Sequence, residues 1–249
     1  MRKLLIIIVL AFTVGSLRCQ TNDTIARYID SLRNPELTQQ QQMYSYILAV
    51  DELLKQCTDY QTYKSVYQYL IYGFSEMGAN LVVDYMMRLP YLESMNATAE
   101  QRNEIIELAG SFERVKIGQQ APDIHAVTID KKELDLNSIE DKYVIILFWA
   151  YTCPHCQQLI KELSAFAKEN HDFVLVTVSV SKEVKKVKHV LKKLRLNNAY
   201  NICDGNGWNS QIIDDYAVDM SPSMFLLDKN KVIIAKPFDV EEIITVIGL

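Results

Sequence analysis

At 249 residues the chain exceeds the common domain size, which fits one large domain or two modest ones. An apolar fraction of 49% and a charged fraction of 23% belong to packed globular protein and exclude collagen-like and wholly disordered classes. The formal net charge of −5 argues against a nucleic-acid binder, which would present a basic surface to phosphates.

The chain opens as an address rather than as fold. Met1, Arg2 and Lys3 make a positive start, Leu4 to Val14 form an apolar run, and Gly15 and Ser16 supply small residues, so residues 1–19 are read as a signal peptide. The run is shorter than the ~20 apolar residues a membrane-spanning helix needs, and no later stretch qualifies, so no span is expected. The mature protein is then expected in the periplasm or another extracytoplasmic compartment. Cys19 raises lipid anchoring as an alternative, but Arg18 in "SLRC" departs from the small residues that precede such a cysteine.

Residues 20–117 carry helical spacing and ten of the fourteen tyrosines. In "QMYSYILAVDELLKQC" Met43, Tyr46, Ile47, Val50, Leu53, Leu54 and Cys57 recur every three or four residues and make one buried stripe. "DYQTYKSVYQYLIYGFSEMG" repeats the pattern, and "ATAEQRNEIIELAGSFERV" does so with Thr98 as a cap ahead of Gln101. A small all-α domain is expected, its tyrosines packing as core with hydroxyls at the rim.

Gly118 and Pro122 break that pattern, and a second domain is expected over 118–249. Strands are expected at Tyr143–Trp149, Phe173–Val180, Met224–Leu227 and Val232–Ala235, and helices at Cys156–Lys168, Val184–Leu194, Gln211–Tyr216 and Val240–Ile247. Strands alternating with helices, closed by a hairpin and a helix, imply an α/β sheet with helices on both faces.

"FWAYTCPHCQQL" sets Cys153 and Cys156 where a strand ends and a helix begins. Unpaired N–H groups and the positive end of the helix dipole favour a thiolate on Cys153, and a protonated His155 would add to them. Cys156, one turn further and on the apolar side with Leu159, Ile160 and Leu163, suits attack on a mixed disulfide from within. A zinc site would want two more clustered ligands, yet Cys57, Cys203 and the histidines are scattered, so no metal or cofactor is expected. A purely structural disulfide across three residues would remove little chain entropy.

Three stretches carry a resemblance: "IGQQAPDIHAVTIDKKELDLNSI", "VIILFWAYTCPHC" and "VDMSPSMFLLDKNKVIIA". In that order they resemble the thioredoxin superfamily, and its extracytoplasmic TlpA- and ResA-like thiol-disulfide oxidoreductases, from about Ile117 to Leu249. The resemblance implies a thioredoxin-like sheet preceded by the helical domain, which itself resembles extensions in Bacteroidetes-type exported proteins. It also implies that Cys153 attacks, that Cys156 resolves, and that protein thiols and disulfides are the substrates, with a redox partner protein. The family's cis-proline falls on Pro222, whose bend would turn the backbone of Ser221 toward Cys153.

Two departures stand out. Leu147 occupies the place of a buried aspartate that thioredoxins use to move the resolving cysteine's proton, and Glu133 and Asp204 are the acids weighed as substitutes. Pro154 and His155 resemble the dipeptide of DsbA-type oxidases rather than the Gly-Pro of thioredoxin, and a dipeptide that stabilises the reduced thiolate makes the disulfide more oxidising.

Outside the pair, Trp149 is read as packing beneath the active-site turn and Trp208 as anchoring a helix start. "SKEVKKVKHVLKKLRL" is read as the solvated lysine face of a surface helix. Cys57 and Cys203 are read as two free thiols or a pair across domains. The direction leans to oxidation or isomerisation; a reductase of the cytochrome-maturation type, which the resemblance implies for the branch's reducing members, and a non-enzymatic scaffold whose helical part does the binding are the alternatives. A peroxidase is disfavoured by the dithiol spacing of "YTCPHC".

Overall fold

The computed structural model describes residues 22–196 and 199–249; the expected signal peptide and Cys19 lie outside them. Helices α1 (Asn22–Ser31), α2 (Gln39–Lys55), α3 (Tyr60–Glu76), α4 (Asn80–Met86) and α5 (Ala99–Arg114) come first. Thr38 and Thr98 start α2 and α5 in the same way. Each hydroxyl accepts the N–H of a glutamine three residues on, and that glutamine's side-chain oxygen accepts the threonine N–H. Thr98→Ala should therefore cost about 1 kcal/mol in urea denaturation, with Thr98→Gly losing less.

The tyrosines build this core. Tyr63 and Tyr67 are fully buried and stack on each other, and their hydroxyls donate to the carbonyls of Pro90 at 2.9 Å and Met86 at 3.0 Å. Tyr85 and Tyr91 both donate to Asp51. Each large ring thus buries its apolar body while its polar end stays satisfied, the condition for placing tyrosine inside.

The α/β part begins with an antiparallel pair, β1 (His125–Val127) and β2 (Glu133–Asp135). It continues through β3 (Tyr143–Trp149), α6 (Pro154–Glu169), β4 (Phe173–Ser179), α7 (Val184–Leu194), β5 (Ala199–Ile202), α8 (Gln211–Asp215), β6 (Ser223–Asp228), β7 (Ile233–Ala235) and α9 (Val240–Ile247). The five-stranded sheet has the order β5-β4-β3-β6-β7, with β3, β4 and β5 parallel and β6 and β7 antiparallel.

Central β3 is apolar throughout because both its faces are covered. Ile145, Leu147 and Trp149 pack with Leu159, Ile160 and Leu163 of α6, Val187 of α7 and Ile243 of α9. Val144, Ile146 and Phe148 face the other side, where Ile213 of α8, Tyr216, Leu134 and Val115 cover them. From β3 the chain winds outward to β5, then crosses back to β6 on the other side of β3. The loop after β3 therefore lies at a reversal of strand order, the place where an open α/β sheet leaves a crevice.

Candidate functional site

Between Trp149 and α6 the chain makes one tight turn. The Cys153 N–H donates to the Ala150 carbonyl at 3.1 Å, and the Gln157 side chain donates to the Tyr151 carbonyl at 2.7 Å. Cys153 caps α6, its Sγ accepting the Cys156 N–H at 3.1 Å. Pro154 follows at the first helical position, where a missing N–H loses no helical bond. The cysteines are joined as a disulfide with Cα atoms 5.3 Å apart. Cys153 is half-buried and Cys156 fully buried, so an incoming sulfur meets Cys153 first. Once reduced, the Cys153 sulfur would hold a negative charge against an N–H and the positive helix end, the setting that lowers a thiol pKa.

The remaining residues singled out from the sequence surround this turn in two layers. Pro154 and His155 are exposed. Trp149 is fully buried among the side chains that enclose Cys156. The Ser221–Pro222 peptide bond is cis and leads into β6, whose Ser223 pairs with Phe148, so Pro222 stands beside the exit of β3. The Ser223 hydroxyl donates to the Met220 carbonyl at 3.1 Å and ties the base of that turn.

Residues 117–236 match the AhpC/TSA family. A thioredoxin-like protein of Bacillus subtilis, YneN, is 30% identical over 123 residues, spanning 48% of this chain and 69% of its own length. The chain belongs to the thioredoxin-like thiol-disulfide oxidoreductases. The thiol-disulfide oxidoreductase ResA of Bacillus cereus is 27% identical over 127 residues, spanning 50% of this chain and 70% of its own. Among solved structures, the C-terminal domain of a thiol-disulfide oxidoreductase of Bacteroides thetaiotaomicron shares the fold at a TM-score of 0.50 and 23% identity, covering 54% of this chain and 95% of that one. Helices α1 to α5 precede the matched stretch.

Within this oxidoreductase the departures take physical form. Leu147 is fully buried in the same apolar cluster as Cys156, so the place of a proton-moving acid is filled by hydrocarbon. Glu133 and Asp204 are both exposed, and Asp204 accepts the Asn206 N–H at 2.9 Å, so neither substitutes as a buried acid. Cys57 and Cys203 are both free. The Cys57 thiol donates to the Leu53 carbonyl, and burial pushes its pKa up to about 11. Burial likewise raises Cys203, which donates to the Ser181 carbonyl at 3.3 Å.

Trp208 lies in a short 3-10 turn directly ahead of α8, the expected helix start, and is 47% exposed, lining a cleft of about 420 Å³ beside Tyr151 and Thr152. Periodicity could not find the cleft, since Gly205 and Gly207 just before Trp208 remove any pattern. His125 sits between Asp123 at 2.9 Å and Asp135 at 3.8 Å. Ligand atoms of these three lie within 4.8 Å of one another, and each imidazole nitrogen faces a carboxylate in a surface cluster at the β1–β2 hairpin.

Proposed function

We propose that this oxidoreductase is exported and exchanges disulfides with protein substrates through Cys153 and Cys156, working in the oxidising or isomerising direction. The observation that carries the site is the half-buried Cys153 sulfur, capping α6 and set over a fully buried Cys156. In the reducing half-reaction, the Cys153 thiolate attacks a substrate disulfide and one substrate thiolate leaves. Cys156, once deprotonated, then attacks the Cys153 sulfur and expels the second thiolate, so the protein is oxidised by two electrons and the substrate reduced. The reverse sequence oxidises a substrate dithiol. Pro222 and Ser221 would lie along the substrate backbone, His155 and Pro154 would set the thiolate's stability, and Trp149 would support the turn.

Export is supported by the charge and apolar pattern of residues 1–19, and no helix among the described residues is long and apolar enough to cross a membrane. The division into a helical domain at 20–117 and a redox domain at 118–249 is supported by a family match that begins at residue 117.

The test is the reduction potential of the pair, measured by equilibrating purified protein in glutathione buffers. A value near −120 mV is expected, because an exposed Pro-His dipeptide and a helix-capping sulfur both favour the reduced thiolate. A value at or below about −270 mV would overturn the direction and make the protein a reductant fed by an upstream donor.

A further inference from the structure

Exchange of thiol for disulfide imposes a condition on any partner protein: its sulfur must reach the sulfur of Cys153, so the surface beside the cysteine turn is covered while bonds change. That surface has a distinct character. On one side of the turn lies the cleft lined by Tyr151, Thr152, Lys182 and Trp208. The Lys186 amino group donates to the Tyr151 hydroxyl at 3.3 Å and stands 5.6 Å from the centre of its ring. Tyr151 is two residues from Cys153 in sequence, so α7 reaches the turn through this contact.

Lys182 packs against Gly207. Gly207 adopts φ +62°, and a Cβ at that position would stand 2.8 Å from Cγ of Lys182, so the lysine stem lies against the loop that carries Trp208. Lys185 is exposed in the first turn of α7, whose N-terminal end adds its own positive dipole. Seven cations and one acid, Glu183, lie between Lys182 and Arg195, in a chain whose net charge is −5. The acid lines the cleft beside Lys182, is 3.8 Å from Lys186 and offsets part of the positive charge; Asp204, near Cys203, also lies on this side. A solvated helix face requires lysines somewhere on α7, but it does not require them at the end next to the cysteines.

We infer that Lys182, Lys185 and Lys186, with Tyr151 and Trp208, form a docking rim for a protein partner whose reacting cysteine is flanked by acidic residues. The inference rests on the exchange chemistry proposed for Cys153. The two aromatic rings supply flat contact, and the lysines supply attraction at a distance and register on contact. A membrane surface fits less well for these three lysines, because they flank the reactive turn, where a sulfur and not a lipid headgroup must arrive; Lys192, Lys193 and Arg195 make the far end of α7 equally basic but lie away from the turn.

The experiment compares two cysteine peptides, one with aspartates and one with lysines beside its thiol, reacting with the oxidised full-length protein. Each turnover joins two peptide thiols in a disulfide and leaves Cys153 and Cys156 reduced, so the peptide disulfide formed is the readout. The acidic peptide should react about tenfold faster in low salt, the lower end of electrostatic steering. The difference should collapse near 1 M salt, where the screening length is about 3 Å. K182E/K185E/K186E should invert the order of the two peptides, and the neutralised K182Q/K185Q/K186Q should erase it.

Equal wild-type rates for the two peptides would overturn the inference, as would an acidic preference unchanged in both variants. Sedimentation with phosphatidylglycerol vesicles that is lost in the charge-reversed variant, together with equal peptide rates, would reassign the lysines to a membrane. Reaction of the oxidised wild-type protein with the neutral thiol 2-mercaptoethanol reports the thiol chemistry alone. Failure there would overturn both readings, and normal exchange there without charge preference would overturn this one only.

Discussion

Cys153→Ser should lower disulfide exchange with insulin by at least about a thousandfold, a loss of roughly 4 kcal/mol of transition-state stabilisation. A serine hydroxyl at the cap of α6 forms no thiolate near neutral pH and cannot carry the mixed disulfide, so the reaction loses both its nucleophile and its intermediate. Cys156→Ser should behave differently. The half-buried Cys153 still attacks, but the fully buried position one turn below no longer supplies the second sulfur, so the protein should accumulate as a mixed disulfide visible by mass spectrometry. Retention of most of the exchange rate by Cys153→Ser would overturn the assignment, as would trapping by Cys153→Ser in place of Cys156→Ser.

Much of this arrangement was legible because it rests on local rules. Tyr143–Trp149 is apolar at every position, and only a strand covered on both faces tolerates that. Val184–Leu194 and Val240–Ile247 were readable to the residue, since each presents a clear apolar stripe with polar flanks. The cysteine pair declared itself by standing where an unbroken apolar run gives way to helical spacing.

What stayed hidden depended on pairing between distant segments. β1, β2 and β5 are three or four residues long and have too little alternation to register; Ala199–Ile202 becomes a strand because it pairs with β4. The cleft beside Trp208 was hidden as well, since Gly207 at φ +62° and the approach of the Lys182 stem are features that a one-dimensional pattern does not contain. The buried contacts between the helical residues and the sheet were equally invisible. Lys236 reads as an ordinary lysine after a strand, yet its side chain is 1% exposed.

That lysine carries the second large effect: Glu76→Ala should cost about 3–5 kcal/mol of stability near neutral pH, because it leaves a buried ammonium unpaired. Lys236 sits just past β7, donates to the Ser75 hydroxyl at 2.8 Å, lies 3.8 Å from the Glu76 carboxylate and 5.2 Å over the Phe225 ring. Ser75 and Glu76 end α3, so the ammonium also meets the negative end of that helix. Burial holds Lys236 down to about 8 although Glu76 opposes the shift, and burial raises Glu76, with Lys236 opposing and Asp219 reinforcing.

The signs then separate two variants. A lysine whose folded pKa lies below its unfolded value is released from its penalty as pH rises, because between about 8 and 10.5 the unfolded chain binds the extra proton. Removing Glu76 takes away a group that raises the Lys236 pKa, so the window opens further toward neutral pH. The deficit of Glu76→Ala against the unmutated protein should shrink as denaturation is repeated at rising pH. Lys236→Met leaves Glu76 as a buried acid with a raised pKa, whose stability contribution is present at low pH and lost as pH climbs through the folded value. Its deficit should grow over the range where the other shrinks. Parallel profiles for the two variants would mean that the pair is not what joins α3 to the end of β7. Opposed profiles would identify a charged tether anchored beside Asp219, three residues before the cis-proline.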